Sequence, residues 1–264
     1  MRRFGFVALA FFALSATAAA EDVYLIGDYT VADFPKSAAP QMGWGSLLSC
    51  ALPRDVMVHN DAVPGSSGLV TETRGTSSKS YLVSGKFARV EASLHAGDFL
   101  LIQFGHEDER SFDISVYTNP ETTFRDNLKH YIDAARAKGA VPVLISPLSR
   151  RSFYKGVMID SHRPYADAVR ATAQETKTPL IDLTADSMAW LKSVGDADSQ
   201  KYFLAIAPNS INLDHPTGSR DDADLTELGS RAVARLVAIR LAGLGLAISP
   251  KVNPDRVAIC RHDD

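Results

Sequence analysis

The chain has 264 residues, of which 45% are hydrophobic, and its formal net charge at neutral pH is −3. A chain of this length and composition can bury a sizeable core as one α/β domain. Its slight acidity argues against nucleic acid or an anionic membrane as the main partner, because both preferentially bind basic proteins.

The first 20 residues have the composition of a secretory signal peptide. Two arginines at positions 2 and 3 precede a short apolar run over 4–14, and three alanines at 18–20 supply small residues for cleavage. The run is too short to span a bilayer, and no later segment approaches the roughly 20 apolar residues of a membrane helix. We therefore expect cleavage near Ala20, export to the periplasm or the medium, no membrane insertion, and a single domain over 21–264.

Short apolar runs alternate along the mature chain with helical patterns of 3.6-residue period. The predicted strands are 23–27, 56–60, 99–104, 141–146 and 179–183. The clearest predicted helices are 122–138, 165–176 and 226–244. This alternation predicts a parallel, doubly wound sheet, in which ligands bind beyond the carboxyl ends of the strands. The least regular stretches, 61–79 and 205–224, are expected at that edge, since loops carry function on this architecture.

The chain contains two cysteines, Cys50 and Cys260. In an oxidising compartment they are able to form one disulfide that ties the C-terminal tail to the first helix. The sequence supplies no distance between them, so their pairing stays open.

Five short motifs, in the same order along the chain, resemble those of the rhamnogalacturonan acetylesterases, which are SGNH/GDSL hydrolases. The first motif has two parts: residues 27–30 read G-D-Y-T and residues 43–45 read G-W-G, where the family has G-D-S-T and G-W-G. The next three motifs are G-T-S-S-K-S at 75–80, I-Q-F-G-H-E-D at 102–108 and P-L-S-R-R-S-F at 147–153. Their family counterparts are G-x-S-S-K-S, I-Q-F-G-H-N-D and P-V-x-R-R-x-F. Residues 221–226, D-D-A-D-L-T, lie where the family has D-x-x-H-L before a helix.

The resemblance implies a three-layer α/β/α sandwich with a five-stranded parallel sheet of flavodoxin-like order. It also implies a polysaccharide or oligosaccharide partner, of acidic and pectin-like type. The oligomeric state is not indicated.

The residues that would carry the family's chemistry are replaced. The family's nucleophilic serine, oxyanion-hole asparagine and general-base histidine correspond here to Tyr29, Glu107 and Asp224. The oxyanion-hole glycine is retained as Gly75, and the aspartate that orients the histidine is retained as Asp221. Ionising a phenol at neutral pH costs about 4 kcal/mol, and losing one oxyanion donor typically slows such reactions by ~10²–10³. We therefore expect no acetylesterase activity by the family's mechanism.

Three interpretations of this pocket remain open. The first is a pseudoenzyme that binds polysaccharide without chemistry. The second is a repurposed glycosidase or polysaccharide lyase, which would use two carboxylates, or Tyr29 with His106. The third is a residual deacetylase in which Glu107, Asp221 and Asp224 hold a water on a divalent cation such as Ca²⁺, Mg²⁺ or Mn²⁺. Apart from that cation no cofactor is indicated, and Asp224 is also explained as a cap of the helix that follows.

Four further residues are candidate substrate-binding groups. Arg150 and Arg151 follow a predicted strand and are able to grip a sugar carboxylate bidentately. His106 and His215 are candidate substrate-binding residues, and His215 is also a candidate replacement for the lost base. Each has a structural alternative: salt bridges for the arginines, a packed core histidine for His106, and an exposed loop histidine for His215.

Overall fold

The computed structural model describes residues 21–64, 76–206 and 219–260. The strands are β1 Val23–Gly27, β2 Val58–Asn60, β3 Phe99–Gln103, β4 Val141–Ile145, β5 Phe153–Tyr154, β6 Val157–Met158, β7 Leu180–Ile181, β8 Phe203–Ile206 and β9 Ser219–Leu225. The α-helices are α1 Ser78–Val83, α2 Lys86–Ser93, α3 Thr123–Ala137, α4 Arg163–Thr176, α5 Leu183–Val194, α6 Asp196–Ser199, α7 Glu227–Gly243 and α8 Arg256–Ile259. The 3₁₀ helices are Lys36–Ala38, Trp44–Ala51, Gln200–Tyr202 and Ser249–Lys251.

The central sheet has five parallel strands in the order β2-β1-β3-β4-β7. This is the predicted flavodoxin-like order, and the prediction is confirmed. The five predicted strands are all present, and the last one is shorter than predicted. It ends at Ile181 because the side chain of Asp182 accepts a hydrogen bond from the amide of Ala185 and begins α5.

Alternation along each strand sends side chains to both faces of the sheet, which produces three layers. Val23 and Leu25 of β1 join a core beneath α5 and α7, whereas Tyr24 and Ile26 join a second core beneath α2, α3 and α4. Both faces of the sheet are therefore covered, as the continuous apolar runs predicted.

The described parts of the second irregular stretch, 205–206 and 219–224, belong to strands. Within it, β9 pairs antiparallel with β8. The sequence signal was weak because only Ala223 and Leu225, both buried, give β9 an apolar alternation. Its neighbours are mostly aspartates, which are depleted in strands.

The structure pairs Cys50 with Cys260, and their Cα atoms are 5.9 Å apart. This bond ties the end of α8 to the 3₁₀ helix Trp44–Ala51. Within the described residues, no helix is long and apolar enough to cross a membrane. The expected signal peptide over 1–20 lies outside the described residues, and the single-domain assignment stays a prediction.

Candidate functional site

The turn after β1 is fixed by a buried carboxyl group. One oxygen of Asp28 accepts hydrogen bonds from the amide and the hydroxyl of Thr30, at 3.1 and 2.7 Å. The other accepts the amide of His106 at 3.3 Å, which joins the ends of β1 and β3. Burial raises the pKa of Asp28 to about 7, against the opposing effect of its hydrogen bonds to Thr30.

The G-W-G motif packs beneath this turn. The indole N–H of Trp44, which is fully buried, donates to Gln103 at 2.9 Å, and the Gln103 amide donates to the Thr30 hydroxyl at 2.6 Å. A Cβ atom at Gly43 would lie 2.3 Å from the carbonyl oxygen of Ala32, so only glycine fits there. Asp28, Thr30, Trp44 and Gln103 thus form the floor of the site, and the indole has a structural role.

Tyr29 projects from this turn and forms a hydrogen bond with His106. Its hydroxyl lies 3.0 Å from Nδ1 of His106, whose Nε2 lies 2.8 Å from the carbonyl oxygen of Leu148. Because a carbonyl can only accept, Nε2 carries the proton, and Nδ1 accepts from the Tyr29 hydroxyl. Burial lowers the pKa of His106 well below its usual range, and the nearby His162 and Arg150 act in the same direction. The imidazole is therefore neutral and buried, which agrees with the interpretation of His106 as a packed core histidine.

Several charges around Tyr29 oppose one another. Burial raises the pKa of its phenol well above 10, and the carboxyl groups of Asp224 and Asp28 raise it further. Arg150 acts in the opposite direction, because its positive charge favours the phenolate. In the free protein Tyr29 therefore holds its proton.

Arg150 is held by a carboxylate that the sequence analysis did not single out. Its Nη1 lies 2.5 Å from Oε1 of Glu109, and Oε2 of Glu109 lies 2.7 Å from Nδ1 of His162. The His162 ring packs against His106, with 4.1 Å between centroids. Burial alone would raise the pKa of Glu109, but its bonds and charge interactions with His162 and Arg150 lower it. The roles of Glu109 and His162 were not predicted, because contacts among residues 109, 150 and 162 cannot be read from sequence spacing.

Glu107 occupies the position of the family's asparagine and is 7% exposed. Its Oε2 lies 2.7 Å from Nη1 of Arg110. A carboxylate paired in this way has no N–H to donate, so it does not supply an oxyanion-hole donor.

The two remaining carboxyl groups act differently from each other. Oδ1 of Asp221 accepts the amides of Ala223 and Asp224, at 2.6 and 2.7 Å, so this carboxylate fixes its own turn. Burial raises the pKa of Asp224 to about 7, helped by the charges of Asp221 and Glu107. The expectation that Asp224 caps the next helix is wrong, because Thr226 is the N-cap of α7 and accepts the amide of Gly229.

The other predicted site residues have separate locations. Arg151 is 6% exposed and forms ion pairs with Asp222 and Asp196, at 2.7 and 2.5 Å. This is the salt-bridge alternative, in contrast to its neighbour Arg150, which contacts Tyr29. Gly75 and His215 lie outside the described residues.

A divalent cation finds no ligand set in the described part of the chain. Across residues 21–64, 76–206 and 219–260, no group of three or more His, Cys, Asp or Glu side chains is arranged to hold a metal ion. The hypothesis of a cation held by Glu107, Asp221 and Asp224 is therefore corrected. Glu107 is paired with Arg110 instead, and Asp221 is turned to the backbone.

An open cleft of about 420 Å³ lies beside this cluster. We call it the arginine cleft, and its lining residues are His106, Glu107, Glu109, Arg110, Phe112 and Arg150. Two guanidinium groups and an aromatic ring suit an anionic, partly apolar ligand. Tyr29 is hydrogen-bonded to His106, one of these lining residues, and the charge of Asp224 acts on its phenol.

Comparisons with known proteins agree with the motifs. Residues 25–218 match the GDSL-like lipase/acylhydrolase family. Over 227 residues the chain is 34% identical to rhamnogalacturonan acetylesterase RhgT of Bacillus subtilis, which covers 86% of this chain and 91% of that protein. It is 32% identical to the probable rhamnogalacturonan acetylesterase YesY of the same organism, over 90% of this chain and all of that protein (100%).

Two solved structures show the same fold. YxiM of Bacillus subtilis superposes with a TM-score of 0.70 at 24% identity, over 87% of this chain and 58% of that chain. A catalytic mutant of an acetylxylan esterase from Geobacillus stearothermophilus superposes with a TM-score of 0.55 at 15% identity, over 86% and 94%. At these identities the likeness concerns the fold alone.

Proposed function

We propose that this chain binds or acts on an acidic, pectin-like polysaccharide without serine esterase chemistry. The chain belongs to the GDSL-like lipase/acylhydrolase family and is a relative of the rhamnogalacturonan acetylesterases. The observation that carries the proposal is the phenol of Tyr29, which is hydrogen-bonded to His106 and acted on by the charge of Arg150, at the position where the family has its nucleophile. The signal-like composition of residues 1–20 supports action outside the cytoplasm.

Serine-type acyl transfer lacks three of its groups here. The nucleophile position holds a phenol whose pKa is raised well above 10 by burial, so it is protonated and weakly nucleophilic. The oxyanion position holds a carboxylate, which disfavours the negative charge that must develop. The base position holds Asp224, a carboxyl group in place of the imidazole that accepts the proton of the nucleophile and then donates it to the leaving group.

The remaining groups suit β-elimination from a uronate. The carboxyl of Asp224, whose pKa is raised to about 7 by burial, is matched to a general base near neutrality. Tyr29 retains a proton that it can give to a leaving oxygen, and Arg150 supplies positive charge for the uronate.

The proposed step conserves atoms and electrons. Asp224 removes the proton from the ring carbon that bears the carboxylate, and that electron pair forms a carbon–carbon double bond. The neighbouring bond from carbon to the glycosidic oxygen breaks, and the oxygen takes the proton of Tyr29. The products are an unsaturated uronate and a new hydroxyl-ended chain. Asp224 then releases the abstracted proton to solvent, and Tyr29 regains a proton from solvent. The reaction requires no oxidant or metal redox change.

Binding without chemistry is the second candidate function, favoured by one observation. Tyr29 and His106 are bonded to each other in neutral form, and burial shifts the pKa of each away from ionisation. A two-carboxylate glycosidase receives less support, since Glu107 is already paired with Arg110.

A screen of uronate polymers separates these functions. The purified mature chain is incubated with homogalacturonan and rhamnogalacturonan, and unsaturated products are followed by ultraviolet absorbance and mass spectrometry. We expect products that disappear in Tyr29→Phe and Asp224→Asn, while both variants still bind the polymer. Binding by the wild type with no products would overturn β-elimination in favour of the binding function. Release of acetate that a serine-directed reagent blocks would overturn the whole proposal.

A further inference from the structure

Phe112 is a large aromatic side chain at the rim of the arginine cleft. It is 81% exposed, although it lines the same cleft as His106 and Arg150. Leaving such a ring in water forgoes the favourable free energy that its burial would contribute. A large apolar side chain exposed beside convergent polar groups is typical of a ligand site.

The position of Phe112 is fixed by its neighbours. The guanidinium carbon of Arg110 lies 5.1 Å from the centre of the Phe112 ring. Nη1 of Arg110 is in turn held by Glu107, and the backbone turns through hydrogen bonds from the Arg110 amide to Glu107 and from the Asp113 amide to Arg110. The guanidinium of Arg110 therefore lies against the ring, and the high exposure of Phe112 leaves the rest of the ring to solvent.

In this arrangement the carboxylate of Glu107 has a structural role. It is buried and does not supply an oxyanion-hole donor, but it anchors the guanidinium that stacks on Phe112. Within the described residues, the ion pair with Glu107 uses one nitrogen of Arg110. A guanidinium carries five N–H donors in all, so further donors remain for a ligand.

We infer that Glu107, Arg110 and Phe112 form a subsite for the ring of a uronate sugar, with Phe112 stacked on its apolar face and Arg110 donating to its carboxylate. The subsite rests on the proposed function, since its ligand is one residue of the same polysaccharide. A pyranose ring presents C–H groups on its faces and polar groups at its edge, which matches an aromatic face beside a guanidinium.

A uronate explains the surroundings better than a protein partner does. The cleft next to Phe112 is lined by charged or ionisable groups, namely His106, Glu107, Glu109 and Arg150. The cores of protein interfaces are depleted in charged residues and bury several hundred Å² on each side. A small anionic ring needs only the aromatic face and one or two cations.

The experiment measures binding of an oligogalacturonate of defined length to the mature chain by calorimetry. We expect Phe112→Ala to weaken binding about tenfold and Phe112→Trp to restore it. Ile114→Ala is the matched control, because Ile114 is equally exposed on the same loop, and it is expected to bind as the wild type does. Arg110→Gln should remove the preference for the oligogalacturonate over its carboxyl-reduced counterpart, and thermal unfolding checks that this variant is folded.

The outcomes distinguish the subsite from the proposed function. If the wild type binds no acidic oligosaccharide, the proposed function fails and the subsite fails with it. If the wild type binds and Phe112→Ala binds equally well, the subsite alone is overturned. A change of oligomeric state in Phe112→Ala, with glycan binding unchanged, would make this surface a protein contact and would also overturn the inference.

Discussion

The floor of the site and the three replaced residues above it obey different physical constraints. In the floor, Asp28, Thr30, Trp44 and Gln103 bond mainly to one another through short, buried hydrogen bonds. The replaced residues lie among charges instead: Glu107 is paired with Arg110, and the charges of Asp224 and Arg150 shift the pKa of the Tyr29 phenol in opposite directions. A change in the floor breaks a closed set of buried hydrogen bonds, whereas a change above it mainly alters the ionisable groups that are available for chemistry. The family's fold and the family's reaction are therefore separable in this chain.

The sharpest way to test this separation is to restore the reaction on the unchanged floor. The triple variant Tyr29→Ser, Glu107→Asn, Asp224→His should release acetate from acetylated rhamnogalacturonan at a rate at least ~10² above that of Tyr29→Ser alone. The single variant lacks both the imidazole base and the oxyanion donor. If the triple variant is folded and no faster than the single variant, the floor does not preserve the family's geometry.

A second test breaks the floor directly. Trp44→Ala should lower the free energy of unfolding by about 3–5 kcal/mol, because it removes a fully buried indole and leaves Gln103 unpaired. Trp190, which is partly buried against Tyr202, provides the control, and Trp190→Ala should cost less. Urea unfolding followed by circular dichroism measures both. Equal losses of unfolding free energy in the two variants would show that the floor contributes no more to stability than the packing of Trp190 does.

Adjacent arginines sharpen the comparison further. Arg151→Gln should destabilise the fold by roughly 2–3 kcal/mol, less than for a fully buried pair because Asp196 and Asp222 are about half exposed. Its affinity for uronate polymers should be unchanged. Arg150→Gln should weaken that affinity with a much smaller loss of stability. Calorimetric binding and urea unfolding on both variants check this, and an exchange of the two phenotypes would contradict the assignment.

A smaller effect concerns pH. Burial raises the pKa of Asp224 to about 7, whereas an unfolded aspartate titrates near 4. The folded state therefore binds this proton more tightly, so the contribution of Asp224 to stability is present below about pH 4 and is lost as the pH rises through about 7. Asp224→Asn should flatten this part of the pH dependence of unfolding by about 1–2 kcal/mol. The rest of this pH dependence would remain in the variant, because burial also raises the pKa values of Asp28 and Asp108. An unchanged slope would show that Asp224 ionises normally.

The fold was largely predictable because long apolar runs and helical periodicity report burial directly. Strand β1 and helix α3 begin and end within one residue of their predicted bounds. The antiparallel strand β9 escaped prediction, because its order comes from pairing with β8 rather than from its own aspartate-rich sequence.

The site was only partly predictable. The motif positions identified Tyr29, Glu107 and Asp224, and the structure adds that Tyr29 contacts His106 and Arg150. Sequence spacing did not distinguish Arg150 from Arg151, because both lie in the irregular segment between β4 and β5, where side-chain direction follows no regular period. Glu109 and His162 were missed because their roles depend on three chain segments meeting in space.

The most direct test of the central claim is acetate release by the unmodified mature chain from acetylated rhamnogalacturonan, with RhgT of Bacillus subtilis as the positive control. The account predicts no release above the buffer blank, because a protonated phenol and two carboxyl groups stand where a hydroxyl, an amide and an imidazole are required. Release that co-purifies with the chain and is abolished by a serine-directed reagent would contradict it.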